Sequence, residues 1–215
     1  MTYLDMVNKV MRRMREDEVS SVSENDYSKL VGDFVQQALS EVEDARDWNA
    51  LRTTIQVTTD AVSNAYGLTS AGTSYNILCV FDDGNDREIM KAPSSAWMTH
   101  RLLSNDLTNG EPAWYDVNGV DENGDPAVNF YPPADGEYTI NFNMKVKTVL
   151  SVDTDESPVP WLPVVLRAQF LAIDERGDDQ GVSLEALDMQ YRNALADAVG
   201  YDMALNEDEN CWGVE

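Results

Sequence analysis

Apolar residues keep a helical period at both ends of the chain and a period of two in the middle. In residues 2–15, Tyr3, Val7, Val10 and Met14 stand at spacings of 4, 3 and 4, which predicts one apolar helix face. Thr2 followed by Asp5 is a capping pair for its start, and Lys9, Arg12, Arg13 and Arg15 crowd its far end, where cations suit the helix dipole. After the polar run Ser23–Asp26, a second helix is predicted from about Tyr27 to Trp48 on the stripe Tyr27, Leu30, Val31, Phe34, Val35, Ala38, Leu39, Val42 and Ala45. Its length of ~33 Å is near the diameter of a small domain. Two amphipathic helices cannot cover their own apolar faces, so their partners lie elsewhere in the chain.

From Thr53 the period becomes two. Residues 75–81 and 87–91 flank Asp82-Asp83-Gly84-Asn85-Asp86, and residues 113–118 and 127–131 flank Asp121-Glu122-Asn123-Gly124-Asp125. Both connections have the Gly and Asn that hairpin turns require. Tyr138, Ile140, Phe142, Met144 and Val146 then alternate with polar residues in the clearest strand of the chain. Between the hairpins, Ser94–Leu103 reads as a short helix presenting Trp97, Met98, Arg101 and Leu102. Helix returns at Trp161–Arg176, with Pro163 in its first turn and Gly177 at its end. Ser183 caps a last helix whose stripe is Leu184, Leu187, Tyr191, Leu195 and Val199, and a polar tail carrying Trp212 closes the chain.

Strands in one block between two helical blocks predict an α+β fold. The expected architecture is a helical bundle built from the N- and C-terminal helices with an inserted antiparallel β lobe. Its divisions are 1–52 with 157–205, 53–156, and a tail over 206–215.

Charge narrows the function. The 215 residues hold 39 acids and 15 bases, a formal charge of −24 with the single His neutral. Acids exceed bases in each of the segments 1–52, 53–160 and 161–215, so no segment offers the clustered cations that grip a nucleic-acid backbone or an anionic membrane. No apolar run approaches the ~20 residues of a spanning helix. The opening residues lack the pattern of a secretion signal, and Cys79 and Cys211 stand far apart in no motif. These features point to a protein of the cytoplasm or one assembled there.

No catalytic, metal or cofactor site is expected. Asp121, Asn123 and Asp125 alternate as calcium ligands do, but Pro126 and Pro132 occupy the positions where an EF-hand loop needs Gly and Glu. His100 has no nucleophile in a recognisable setting, and neither Gly67–Gly72 nor Gly177–Gly181 has the lysine and strand-to-helix context of a phosphate loop. Among Trp48, Trp97, Trp114, Trp161 and Trp212, the first four read as core anchors. Trp212 sits in a tail with little apolar material of its own, where docking to a partner and folding back onto its own helices are both open.

The phrases Tyr3-Leu4-Asp5-Met6-Val7-Asn8-Lys9-Val10, Ala45-Arg46-Asp47-Trp48-Asn49-Ala50-Leu51-Arg52 before a strand, Pro160-Trp161-Leu162-Pro163, Ala172-Ile173-Asp174-Glu175-Arg176-Gly177 and Tyr191-Arg192-Asn193-Ala194-Leu195-Ala196-Asp197-Ala198 carry a resemblance. Together with the layout of elements, they are similar to the head-to-tail adaptors (tail tubular protein A type, or neck proteins) of short-tailed bacteriophages. The resemblance implies a structural virion protein, not an enzyme. It implies a ring of copies, usually twelve, between the portal and the tail nozzle, with the helical lobe toward the portal, the β lobe toward the nozzle and DNA passing through without tight binding. Within that role, Asn210, Cys211 and Trp212 of the tail, and the basic residues Arg12, Arg13 and Arg15, are the candidate partner contacts. The readings from other classes are a cell-wall hydrolase acting during infection, an acidic DNA-mimic inhibitor, and a protein whose acidity only reflects a salty habitat.

Overall fold

A computed structural model of the chain describes residues 1–63, 65–72, 74–104, 107–177 and 183–205. Its contacts divide the chain into two units, one of Met1–Leu51 with the chain from Thr148 onward, the other of Arg52–Lys147. The class is α+β, with five α-helices and two four-stranded sheets among the described residues.

The first unit has α1 (Tyr3–Arg13), α2 (Asp26–Asp44), α4 (Trp161–Arg176) and α5 (Leu184–Ala204). The apolar stripe of α1 is buried as its spacing requires, with Met6, Val7 and Val10 fully enclosed. The face Val31, Val35, Ala38, Leu39 and Val42 of α2 is equally enclosed. Gly32 allows the approach of α1: a β-carbon there would lie 2.6 Å from the Tyr3 hydroxyl and 2.7 Å from Val22 Cγ1. Helix α4 contacts α1, α2 and α5 and brings Val164, Val165, Ala168 and Ala172 into the same core. Each such buried aliphatic side chain contributes roughly 1.5–3 kcal/mol.

Polar groups fix the connections. Thr2 Oγ1 accepts from the Asp5 amide at 3.2 Å, and Asn25 and Ser28 cap α2 reciprocally. The side-chain amide of Asn8 both accepts from and donates to the backbone of Val19, at 2.9 and 3.0 Å, holding the loop after α1. Buried Glu43 accepts from the Thr148 amide, and Gln36 bonds Thr148 and Leu150, so the segment entering from 148 lies along α2. Helix α2 stops at Asp44, short of the expected Trp48. Trp48 instead turns back from the following bend, and its buried ring donates through Nε1 to the Val42 carbonyl at 2.7 Å.

The second unit has β1 (Arg52–Thr58), β2 (Ala65–Gly67), β3 (Tyr75–Asp82), β4 (Arg87–Glu88), β5 (Met90–Lys91), α3 (Ser95–Leu102), β6 (Trp114–Val120), β7 (Pro126–Tyr131) and β8 (Thr139–Val146). The sheet orders are β1-β8-β3-β4 and β2-β7-β6-β5. Alternation along β8 directs Ile140, Phe142 and Met144 inward, where Phe142 meets Tyr115 and Phe130 of the other sheet at ring-centroid distances of 5.7 and 6.2 Å. Both hairpin turns form, at 83–86 and 121–125, but the strand expected over 87–91 divides. Buried Ile89 separates β4, which pairs with β3, from β5, which runs parallel to β6 in the other sheet. Among the described residues, every other strand pairing is antiparallel. Period-two alternation does not reveal such a switch of sheet within five residues.

Candidate partner-docking surfaces

The three arginines at the end of α1, Arg12 and Arg13 in its last turn and Arg15 beyond it, lie in different settings, because neighbouring helical positions point about 100° apart and the helix stops beside them. Arg12 pairs with Glu18 at 3.1 Å, both about half exposed. Arg13 donates to Gln169 of α4 at 2.9 Å, and partial burial pulls its guanidinium below the usual arginine range. Arg15 is exposed, makes no side-chain ion pair among the described residues, and has φ of 59°. The Arg15 amide bonds the Arg12 carbonyl at 3.1 Å and the Glu16 amide bonds Met11 at 3.0 Å, a left-handed helix ending that ordinarily takes glycine. Arg176 pairs with Glu16, so the region is mixed in charge and not a basic patch.

Trp161 departs from the expectation of a core anchor. It opens α4 at 37% exposure, and Lys9 Nζ lies 4.4 Å from its ring centroid. The two border a depression of ≈ 480 Å³ with Met1, Asp5, Asn8, Arg12 and Glu18. The sequence signal is positional: the buried face of α4 starts at Pro163, two residues after Trp161.

Helix α5 has contacts chiefly with α4 and leaves Met189, Tyr201, Met203 and Leu205 exposed. Asn210, Cys211 and Trp212, which follow it, lie outside the described residues. In the second unit Trp97 of α3 packs on Trp114 and Tyr131 at 5.5 and 5.6 Å, with the Arg101 guanidinium 5.5 Å from the Trp97 ring. His100 is exposed on the same helix.

The acidic turns spend their carboxylates on backbone amides. Asp121 Oδ1 accepts from Asn123 and Asp125 at 2.8 and 2.9 Å, Asp125 accepts from Ser70 and Gly72, and Asp82 accepts from Gly84 and the Asn85 side chain. This is turn chemistry, in which an Asx side chain stands in for a backbone acceptor. Among the described residues, no helix is long and apolar enough to cross a membrane and no three His, Cys, Asp or Glu residues gather as a metal site would need.

The family model described as SU10 adaptor protein matches residues 1–210, and the chain belongs to that family. It is a family of structural adaptors of the bacteriophage head-to-tail junction, which act with other head and tail proteins in the virion. No curated protein matches the chain.

Proposed function

We propose that the protein is the connector ring between the portal and the tail nozzle, self-assembled around the path of the DNA and without catalytic activity. The observation that carries this reading is a family match running through both units, from residue 1 to 210. The helical domain meets the portal and the β domain meets the nozzle. Assembly takes place in the host cytoplasm, before the virion is complete.

The charge of −24 fits a conduit. DNA has one negative charge per ~1.7 Å of axis, and a wall rich in Lys and Arg would hold it by counterion release. An acidic wall lets it pass. The portal contacts we assign are Asn210, Cys211 and Trp212 of the tail, the exposed apolar residues of α5, and the edge of α1 with Arg12, Arg15, Lys9 and Trp161; Arg13, bound to Gln169, supports that edge. The strained, exposed Arg15 supports the assignment, since a residue held in an unfavourable conformation is retained more readily where its side chain has a task.

The test mixes the purified chain with portal rings and images the mixture by negative stain. Rings stacked on the portal are expected, and deletion of residues 206–215 should abolish them. Portal that remains bare with the full chain at high concentration overturns the reading.

A further inference from the structure

Outer N–H and C=O groups of an edge strand have no sheet partner, and proteins that stay single blunt such edges with short strands, Pro, Lys or bulges. The two sheets of the 52–147 unit differ in this respect. In β2-β7-β6-β5 the edge strands are three and two residues long. In β1-β8-β3-β4 one edge is the whole of β1, seven residues in unbroken register with β8. At the other edge β4 covers Phe81 and Asp82 and the Ile89 amide bonds the Val80 carbonyl, so among the described residues 75–79 of β3 face no strand on that side. The blunting devices on these stretches are the bulge between Ile77 and Cys79 and the charged Arg52 at the start of β1. Neither stretch contains Asp, Glu, Pro, Gly or Lys, although the chain holds 39 acids. Thr54 and Gln56 of β1 and Leu78 and Cys79 of β3 are exposed.

We propose that β1 of one copy adds to residues 75–79 of β3 in the next, so that successive copies join this sheet edge to edge. The inference rests on the self-assembly of the connector proposed above and names the strands that make it. A second copy is the occupant because each edge supplies what the other lacks: an open ladder along β1 and a shorter one over 75–79 of β3, on opposite sides of one sheet. Charge favours the same choice, since copies at −24 repel one another and these are acid-free edges on which two copies can approach. Both β1 and β3 run antiparallel to β8 and therefore share a direction. In a ring of many copies the rotation from one copy to the next is small, so the two directions stay close and the new pairing is parallel. The two edges are different surfaces, so the contact is heterologous, the type that closes into rings. Main-chain hydrogen bonds supply the affinity, as in other strand additions.

The test uses the full chain with Cys211→Ser, which leaves Cys79 as its single thiol. Thr54→Cys or Gln56→Cys is added, and each protein is oxidised gently, alone and with portal rings, beside mass photometry of the unmodified chain. A ladder of covalent multimers in one of the double variants, absent when Cys79→Ser is also present, is the expected result. Dimers that form through Cys79 alone, without an added thiol, indicate a symmetric β3 pair and overturn the proposal. Assembly with no ladder in either variant overturns the proposal and leaves the connector reading intact. A chain that stays monomeric under both conditions overturns the connector reading and the proposal together. Cys79→Lys, on an exposed strand position, should suppress assembly with an unchanged circular dichroism spectrum; unimpaired assembly counts against the edge.

Discussion

Arg46, just past the end of α2, donates through Nε to Oδ2 of Asp202 near the end of α5 at 2.8 Å, and both side chains are largely shielded from water. The other Asp202 oxygen accepts from the Asn49 amide at 3.3 Å. Helix α5 otherwise packs chiefly on α4, so this carboxylate ties its far end to α2. Asp202→Ala leaves shielded donors facing an apolar methyl. Its expected cost is about 2 kcal/mol, read as a lower urea midpoint for the helical unit with an unchanged slope. Asp202→Asn keeps one acceptor and should lie between the two. A loss below ~0.5 kcal/mol for the alanine variant would place this pair with ordinary surface ion pairs.

The end of α1 yields a prediction of opposite sign. Arg15 holds φ of 59° at the helix terminus, a conformation that costs an L-residue about 1–2 kcal/mol and glycine almost nothing. Glycine also has more freedom to lose from the unfolded chain, which offsets part of that gain. Arg15→Gly should therefore raise stability by about 0.5–1 kcal/mol while weakening portal binding. A variant that is stabilised and binds the portal as before leaves Arg15 no task as a contact.

Acid should loosen the loops before the core. The Asp155 carboxylate accepts from the Val152 and Ser151 amides at 2.8 and 2.7 Å, Asp60 accepts from Ser63 and Val62, and Glu24 accepts from Ser20. These amide hydrogen bonds hold all three carboxyls below their ordinary range. A depressed folded-state pKa contributes stability that is present above the unfolded value, 3.8 for Asp, and is lost as pH falls through the folded value. The contribution of these three carboxylates should thus be complete at neutrality and be lost progressively as pH falls below about 5. Asp155→Asn should flatten that acid limb for the helical unit, whose first helix hangs on the same turn through Tyr3 N to the Asp155 carbonyl at 2.8 Å. An acid limb identical to that of the unmodified chain would exclude this carboxylate as its source.

The helices were legible because α1 and α2 each bury one face and because local signals bound the others. The stripes of α1 and α2, the caps at Thr2 and Ser183, and the left-handed Gly177 all depend on residues within one or two turns of each other. Legibility failed where a residue's role is set by distant chain. The chain changes sheet at Ile89 because its amide bonds the Val80 carbonyl of β3 while Met90 pairs with β6, and nothing within Arg87–Lys91 announces the division. The docking residues divide in the same way. Arg12, Arg13 and Arg15 looked like one cluster by proximity in sequence, yet Glu18 and Gln169 drew two of them apart. Trp161 looked like its counterpart Trp48 by composition, and only the placement of α4 separates a surface ring from a buried one.

That contrast gives the last prediction. Trp48 is 1% exposed with its indole N–H bonded to Val42, so Trp48→Ala opens a large cavity and should cost about 3–5 kcal/mol. Trp161 is 37% exposed, and its specific partner is Lys9, in a cation–π contact of the exposed kind that contributes about 0.5–1 kcal/mol. Trp161→Ala should accordingly lower stability by about 1 kcal/mol or less. Tryptophan is among the residues in which protein interfaces concentrate their binding energy, with losses of about 2 kcal/mol or more on truncation. The same substitution should therefore reduce portal affinity by more than tenfold, measured by biolayer interferometry on immobilised portal. The two readouts separate the roles of the ring: a large stability loss with unaltered affinity would make Trp161 a core residue after all, and a small loss in both would remove this edge of α1 from the interface.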